Sequence, residues 1–203
     1  MKLVAKILGI FFLSLLIGIG VALYQLKSVK SNNNYMLKNG CWQVNPKMDL
    51  KQNDWQRARI AIIGLFALRE SEVLYFVASE DSDGERLSSE YDYELVGTAP
   101  NARYWSYTMY GEDYFLVSNE DKTYSFNLDD LSYVTRDTLN PELPIDGPKS
   151  YSIVISSNAK EGNWLPSGEE DQFHILLRMY NPAPEVYNNL EEVSLPIINK
   201  IEQ

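Results

Sequence analysis

The sequence predicts a mainly β protein, an antiparallel sandwich or barrel with one packed helix, preceded by a single N-terminal transmembrane helix. The 20 residues from Ile7 to Leu26 contain no charged side chain. From residue 72 onward, at least six short runs rich in aromatic and β-branched residues are separated by turn signals. No alternation of strands and helices follows, which argues against a parallel nucleotide-binding sheet.

The N-terminal apolar run has the length of a membrane span. At a rise of about 1.5 Å per residue, 20 helical residues cover roughly 30 Å, the thickness of a bilayer's hydrocarbon core. A cleaved signal peptide is the alternative, but its apolar region would be shorter and would end in a small-residue cleavage site. The nearest such site, Gly20-Val21-Ala22, lies inside the run. We therefore expect residues 1–30 to form an uncleaved anchor, with Ile7–Leu26 in the membrane.

Charge is unevenly distributed along the chain. The chain has 18 Lys and Arg against 28 Asp and Glu, and four of the cations lie in the first 30 residues. Residues 31–203 therefore hold 14 cations and 28 acids, a net charge of −14. Such a body repels nucleic acid. The flanking lysines are equal in number on the two sides of the span, but the free amino terminus favours an N-in anchor. The body would then be extracytoplasmic, and periplasmic in a Gram-negative bacterium.

The rest of the chain divides into a short linker and one domain. Residues 31–40 are polar and rich in Asn, which predicts a linker, and residues 41–203 form the predicted β domain. Asn53–Glu70 has apolar residues at three- and four-residue spacing and predicts the packed helix. The chain beyond residue 182 is expected to be extended and irregular. The predicted strands are residues 72–79, 91–96, 103–110, 114–118, 123–128, 151–156 and 173–180.

Several motifs in this domain resemble one known family. RYWSYTMYG at 103–111 resembles its "WSlTlYd" strand, NWLP at 163–166 matches its most distinctive motif, and LRMYNP at 177–182 resembles its "lRlYgP" strand. The ordered combination resembles the domain of unknown function 1214 family, here as a membrane-anchored short form. Looser similarity extends over about residues 41–199.

The resemblance implies a jelly-roll-like β-sandwich and implies no reaction. Larger members of the family carry a companion domain ahead of this one. The chain departs from the family pattern at Asp146-Gly147, which Pro148-Lys149 follow where members often have D-G-S-l. The turn at this point is therefore expected to differ in detail.

The strand at 173–180 contains the first candidate site residues. Alternation places Phe173, Ile175, Leu177 and Met179 on one face, which we expect to be the core face. His174, Arg178 and Tyr180 share the other face with Leu176, and this face could line a concave binding or catalytic wall. The competing interpretation, which we favour, is a structural one, with Arg178 paired to an acidic side chain.

The remaining candidates are in loops. Asn163 and Trp164 could form an exposed platform for a sugar ring or a partner. In the structural interpretation, which we prefer, Trp164 plugs one end of the sandwich and Asn163 bonds loop backbone. Asp146 is a candidate acid for hydrolytic chemistry beside Arg178 and His174.

Metal and cofactor chemistry have few candidate residues. A transition-metal site usually draws on several His or Cys side chains, and the chain has one of each, His174 and Cys41. We expect no metal, no cofactor and no internal disulfide.

Two functions remain open at this point. The preferred one is a membrane-tethered extracytoplasmic binding or scaffolding module of the cell envelope, with an envelope protein or a carbohydrate as partner. The alternative is a carboxylate-dependent hydrolase acting on an envelope or carbohydrate substrate, which needs two carboxylates facing each other across a pocket. With one His and one Cys, no recognisable catalytic constellation is present, so we lean away from an enzyme.

Overall fold

The structure is a computed structural model that describes residues 2–31, 36–46, 58, 68–130 and 150–201, with side chains of the first helix described as far as Gln25. The chain divides into two compact units. One comprises Met1–Tyr35 and Lys47–Leu68, and the other comprises Met36–Pro46 and Arg69–Gln203. The second unit contains every strand described below.

The N-terminal helix, α1, runs over Lys2–Ser31. Within it, Lys2–Gln25 has a mean hydropathy of 2.5 and none of it is buried. Its length and composition suit a membrane span, as the uncharged run predicts. The second predicted helix, Asn53–Glu70, lies almost entirely outside the described residues. Ala58 is helical, whereas residues 68–70 are not.

The larger sheet has six strands. They are β1 Leu37–Asn39, β2 Trp42–Val44, β3 Val73–Ala78, β5 Ala102–Gly111, β6 Ser125–Asn127 and β9 Phe173–Pro182. Their order is β1-β2-β3-β9-β5-β6, and all are antiparallel to their neighbours. The two long central strands, β5 and β9, are each 10 residues, and β9 lies between β3 and β5.

The smaller sheet has four strands. They are β4 Asp92–Thr98, β7 Ser150–Ser156, β8 Trp164–Pro166 and β10 Ile197–Ile201. Their order is β10-β4-β7-β8. The first two pairs are antiparallel, but β8 runs parallel to β7, so the prediction of an antiparallel fold is wrong at this edge. A short helix, α2, Pro184–Asn188, precedes the last strand.

Aromatic rings from the two sheets meet in one shared core. Trp105 of β5 stacks on Tyr151 of β7 with ring centroids 5.3 Å apart. Tyr93 of β4 meets Phe173 of β9 edge to face at 5.9 Å. Each of these four side chains is at most 1% exposed. The mainly β, two-sheet prediction is therefore confirmed, while the jelly-roll connectivity stays a prediction.

Three segments differ from the sequence-based expectation. The sheet begins at Leu37, inside the predicted linker, because Leu37–Asn39 turns back through Gly40 to pair with β2. The predicted strand at 114–118 is instead a tight turn followed by a single bridge to β5. The Tyr114 amide donates to the Gly111 carbonyl, Tyr114 has a φ of 65°, and Leu116 pairs with Tyr110. The C-terminal segment contains α2 and β10 instead of irregular chain.

Candidate functional site

Strand β9 has one apolar and one polar face. Phe173, Ile175, Leu177 and Met179 are at most 1% exposed, which confirms them as the core face. Side chains alternate along a strand, so His174, Leu176, Arg178 and Tyr180 lie on the other side of the sheet. We call this side, which faces away from the shared core, the outer face.

Strand register brings polar side chains from both neighbouring strands to Arg178. Tyr75 of β3 and Ser106 of β5 pair directly with Arg178. Thr108 and Ser106 are 4% and 8% exposed, whereas Arg178 and the tyrosines are half-buried. The site thus has a base of hydroxyl groups and a rim of phenols around one cation. We define the Arg178 face as Tyr75, Ser106, Thr108, Tyr110, Arg178 and Tyr180.

The guanidinium of Arg178 is held by hydroxyl groups. Its Nη1 donates to Thr108 Oγ1 at 2.7 Å, and its Nη2 donates to the Tyr110 hydroxyl. The Tyr110 ring centroid is 5.6 Å from the guanidinium carbon, within cation–π range. Among the described residues no carboxylate forms an ion pair or a hydrogen bond with Arg178, so the predicted acidic partner is not found in this part of the chain. Local alternation places Arg178 on its face but does not identify the residues that neighbouring strands bring to it.

Two phenols near Arg178, those of Tyr75 and Tyr104, have raised pKa values and are neutral at pH 7. Burial raises the pKa of Tyr75, and the neighbouring Tyr180 and Tyr110 act in the same direction, while Arg178 opposes them. Burial also raises the pKa of Tyr104, whose ring lies 5.8 Å from that of Tyr180. Neutral phenols can both donate and accept hydrogen bonds. The phenols of the rim can therefore bond both hydrogen-bond donors and hydrogen-bond acceptors of a ligand.

His174 lies on the same face as Arg178, four residues earlier in β9. Its Nδ1 is 2.8 Å from Ser79 Oγ, and its ring stacks on Tyr114 with centroids 5.8 Å apart and planes at 15°. Burial lowers the pKa of His174, the positive charge of Arg86 lowers it further, and Glu112 opposes them. The imidazole is therefore neutral at pH 7 and, chemically, could accept a proton.

The other predicted site residues do not join this face. Asn163 and Trp164 belong to the edge of the smaller sheet. Asn163 Nδ2 donates to the Ser152 carbonyl at 2.9 Å, and Trp164 Nε1 donates to the Ser156 carbonyl at 3.1 Å. Both contacts hold the motif to the backbone of β7. Asp146 lies outside the described residues.

Residues that the sequence analysis missed form much of the site. Tyr75, Thr108 and Tyr110 were treated only as parts of strands. Alternation within RYWSYTMY does place Ser106, Thr108 and Tyr110 on one face, and this signal was available. The pairing of that face with β9 was not, since the two strands are more than 60 residues apart in the chain.

Two buried ionisable groups away from the Arg178 face, Asp92 and Cys41, are part of the packed structure. Asp92 is 2% exposed, and Lys160 Nζ lies 2.7 Å from its Oδ2. Burial raises the pKa of Asp92, but Lys160 and Ser156 together outweigh it, and the pKa lies below its ordinary value. Burial raises the pKa of the Cys41 thiol, which is 8% exposed. In the described part of the chain, no group of three or more His, Cys, Asp or Glu residues is placed to hold a metal ion.

A groove of about 320 Å³ lies apart from the Arg178 face, between the start of β1 and the chain around α2. Its lining includes Leu37, Tyr187, Glu70, Glu191 and Glu192. Three of the nine lining residues are acidic, and none is basic. The groove therefore has the opposite charge character from the Arg178 face.

Comparisons with known proteins agree with the fold. A family model described as "Protein of unknown function (DUF1214)" matches residues 72–184. No curated protein matches the chain in sequence. The crystal structure of the VPA0106 protein from Vibrio parahaemolyticus is similar, with a TM-score of 0.57 and 24% identity over 75% of this chain. The match covers only 36% of that chain, so the present chain spans about a third of its length. A protein from Burkholderia cenocepacia has a TM-score of 0.43 and 14% identity, over 91% of this chain and 41% of its own.

Proposed function

The chain belongs to the DUF1214 family, described as proteins of unknown function, and we propose that it is a membrane-tethered binding module of the cell envelope. In this proposal residues 1–30 anchor the protein, residues 31–40 link the anchor to the β domain, and the β domain lies outside the cytoplasm. The Arg178 face is the surface that contacts the ligand. No reaction is assigned to the family by its description, so the proposal rests on the chain's own residues.

The tether is supported by the N-terminal helix. Lys2–Gln25 is long and apolar enough to cross a membrane, its residues from Ile7 onward carry no charge, and none of it is buried. An unburied apolar helix is stable in a bilayer, where its backbone groups are satisfied within the helix. The excess of acids in residues 31–203, 28 against 14 cations, contrasts with the lysines that flank the span. The flanking lysines are equal in number on the two sides of the span, and the free amino terminus favours an N-in orientation.

The observation that carries the binding role is the environment of Arg178. A half-buried guanidinium lies among hydroxyl groups and phenols on an otherwise acidic protein. Its charge is not cancelled by any carboxylate among the described residues. Convergent polar groups on a semi-buried surface are typical of ligand sites.

The hydrolase alternative has less support from these residues. It requires two carboxylates that face one pocket. In the described residues, Arg178 and His174 contact hydroxyl groups and aromatic rings. This chemistry suits holding a ligand more than cleaving one.

Site-specific photo-cross-linking in living cells tests the binding role with the full chain. Benzoylphenylalanine replaces Tyr75 on the Arg178 face or, as the control, Val154 on the outer side of the smaller sheet, which is also half-buried. Both positions lie in the middle of strands. We expect adducts at position 75 and far fewer at position 154. Equal adducts at both positions, or none at position 75, would contradict the proposal.

A separate experiment tests on which side of the membrane the β domain lies. External protease added to intact spheroplasts should digest the β domain of the full-length protein without lysis. Protection of the domain until the membrane is broken would place it in the cytoplasm and contradict the proposed topology.

A further inference from the structure

We propose that the Arg178 face recognises a sugar that carries one carboxylate, such as a uronic acid unit of an envelope polysaccharide. The inference rests on the proposed function, because it names the class of ligand for the same face. The carboxylate would lie on the guanidinium of Arg178, and the sugar ring would lie among the surrounding phenols.

The guanidinium retains the hydrogen bonds that an anion needs. Arginine has five N–H donors, and the contacts to Thr108 and Tyr110 use two of them. The other three form no hydrogen bond within the described part of the chain. Thr108 and Tyr110 fix the plane of the guanidinium, so little side-chain freedom remains to be lost when an anion binds. A pre-oriented planar fork matches the two oxygens of a carboxylate.

The charge of the protein favours a ligand with few charges. Residues 31–203 carry a net charge of −14, so a densely charged ligand would be repelled. A sugar acid brings one negative charge and several neutral hydroxyl groups for each ring. One cation on the face, Arg178, is sufficient for such a unit.

The phenols supply the surface for the ring. Tyr104 and Tyr180 lie side by side with ring centroids 5.8 Å apart and planes at 48°. Tyr75 pairs across from Arg178 on the opposite neighbouring strand. Phenol rings offer an apolar surface to the C–H faces of a sugar and a hydroxyl group to its edge. Tyrosines on both sides of one arginine therefore match a ring with an attached carboxylate.

Calorimetric titration of the full-length protein in a polyoxyethylene detergent, which contains no sugar, tests the inference. The probes are trigalacturonic acid and its neutral counterpart galactotriose, with inorganic phosphate as a third ligand. We expect trigalacturonic acid to bind and galactotriose to bind at least tenfold more weakly. The neutral sugar lacks the carboxylate and so loses its charge-assisted hydrogen bonds to Arg178, a loss that lowers affinity roughly tenfold or more.

Two substitutions test whether the binding of trigalacturonic acid depends on Arg178. Arg178→Gln should weaken trigalacturonic acid binding at least tenfold, and Arg178→Lys should weaken it less, because a point charge replaces the fork. Arg103→Gln, at an exposed position of β5, is the matched control and should leave binding unchanged. Circular dichroism confirms that each variant is folded.

Three outcomes overturn the inference. Equal affinity for the acidic and neutral sugars removes the role of the carboxylate, and unchanged affinity in Arg178→Lys and Arg178→Gln removes the role of this residue. Arg178-dependent binding of phosphate without binding of trigalacturonic acid makes the class of ligand wrong. In all three cases the cross-links at position 75 would still support a binding face, so the proposed function fails only if those cross-links also fail.

Discussion

Arg178 Nη1 donates a 2.7 Å hydrogen bond to Thr108 Oγ1 on the neighbouring strand. The acceptor belongs to a residue that is 4% exposed, while the donor is half-buried. A neutral hydroxyl orients the guanidinium and leaves its positive charge in place, whereas a carboxylate would have cancelled it. The contact therefore fixes the direction of the cation on the outer face of the sheet.

The buried hydroxyl groups of Tyr107 and Tyr151 form a hydrogen bond that joins the two sheets. Both residues are fully buried, and burial raises the pKa of Tyr107 well above its ordinary value. We expect Tyr107→Phe to destabilise the domain by about 1–3 kcal/mol, because a buried polar group loses a partner. The double variant with Tyr151→Phe should cost less than the sum of the two single variants. Urea unfolding of the four proteins measures this, and strict additivity would exclude a coupled pair.

Gly168 occupies a position that no larger residue fits. Its φ is +65°, and an added Cβ would lie 2.3 Å from Val117 Cγ1 and 2.7 Å from the Ser118 carbonyl oxygen. Gly168→Ala should therefore destabilise the domain by about 2 kcal/mol or more, from backbone strain and overpacking together. Gly162→Ala is the control, since Gly162 has a φ of +81° but open space around its Cα. Similar melting temperatures for the two variants would show that the close approach to Val117 does not exist.

His174 makes stability depend on pH. Its pKa in the folded protein is below the ordinary value because of burial and Arg86. The unfolded chain then binds more protons near its own pKa of about 6.5, so stability falls as the pH drops through that value toward the folded pKa. We expect wild type to lose stability between pH 7.5 and 5.5, and His174→Asn to lose less. Parallel pH profiles of the two proteins would assign the dependence to other groups.

Local sequence pattern predicted β9 well because one of its faces is wholly buried. The alternation of Phe173, Ile175, Leu177 and Met179 follows directly from contact with a continuous core. The same reasoning failed at 114–118, where Phe115 is apolar but 74% exposed. The amide of Gly111 there bonds the Phe115 carbonyl, and turn geometry outweighs strand propensity.

The short strands needed information that local pattern does not contain. β1 and β10 are held by partners far away in the chain, since Asn39 Nδ2 donates to the carbonyl of Val193, and Ile198 pairs with Leu95. Likewise, alternation identified one side of the site, His174, Arg178 and Tyr180, but not Tyr75 or Thr108. Strand order determines which residues meet, and strand order follows from the whole core.

In the proposed role, Arg178 serves a ligand and the fold does not depend on it. This independence is tested by thermal and urea unfolding of Arg178→Lys and Leu177→Ala, in the full-length protein without ligand. The two residues are adjacent, and Leu177 is fully buried in the core. We predict that Leu177→Ala loses about 2–5 kcal/mol of unfolding free energy. Arg178→Lys should stay within about 1 kcal/mol of wild type, with a cooperative transition. A loss in Arg178→Lys as large as that in Leu177→Ala would make Arg178 a structural residue and overturn its proposed role.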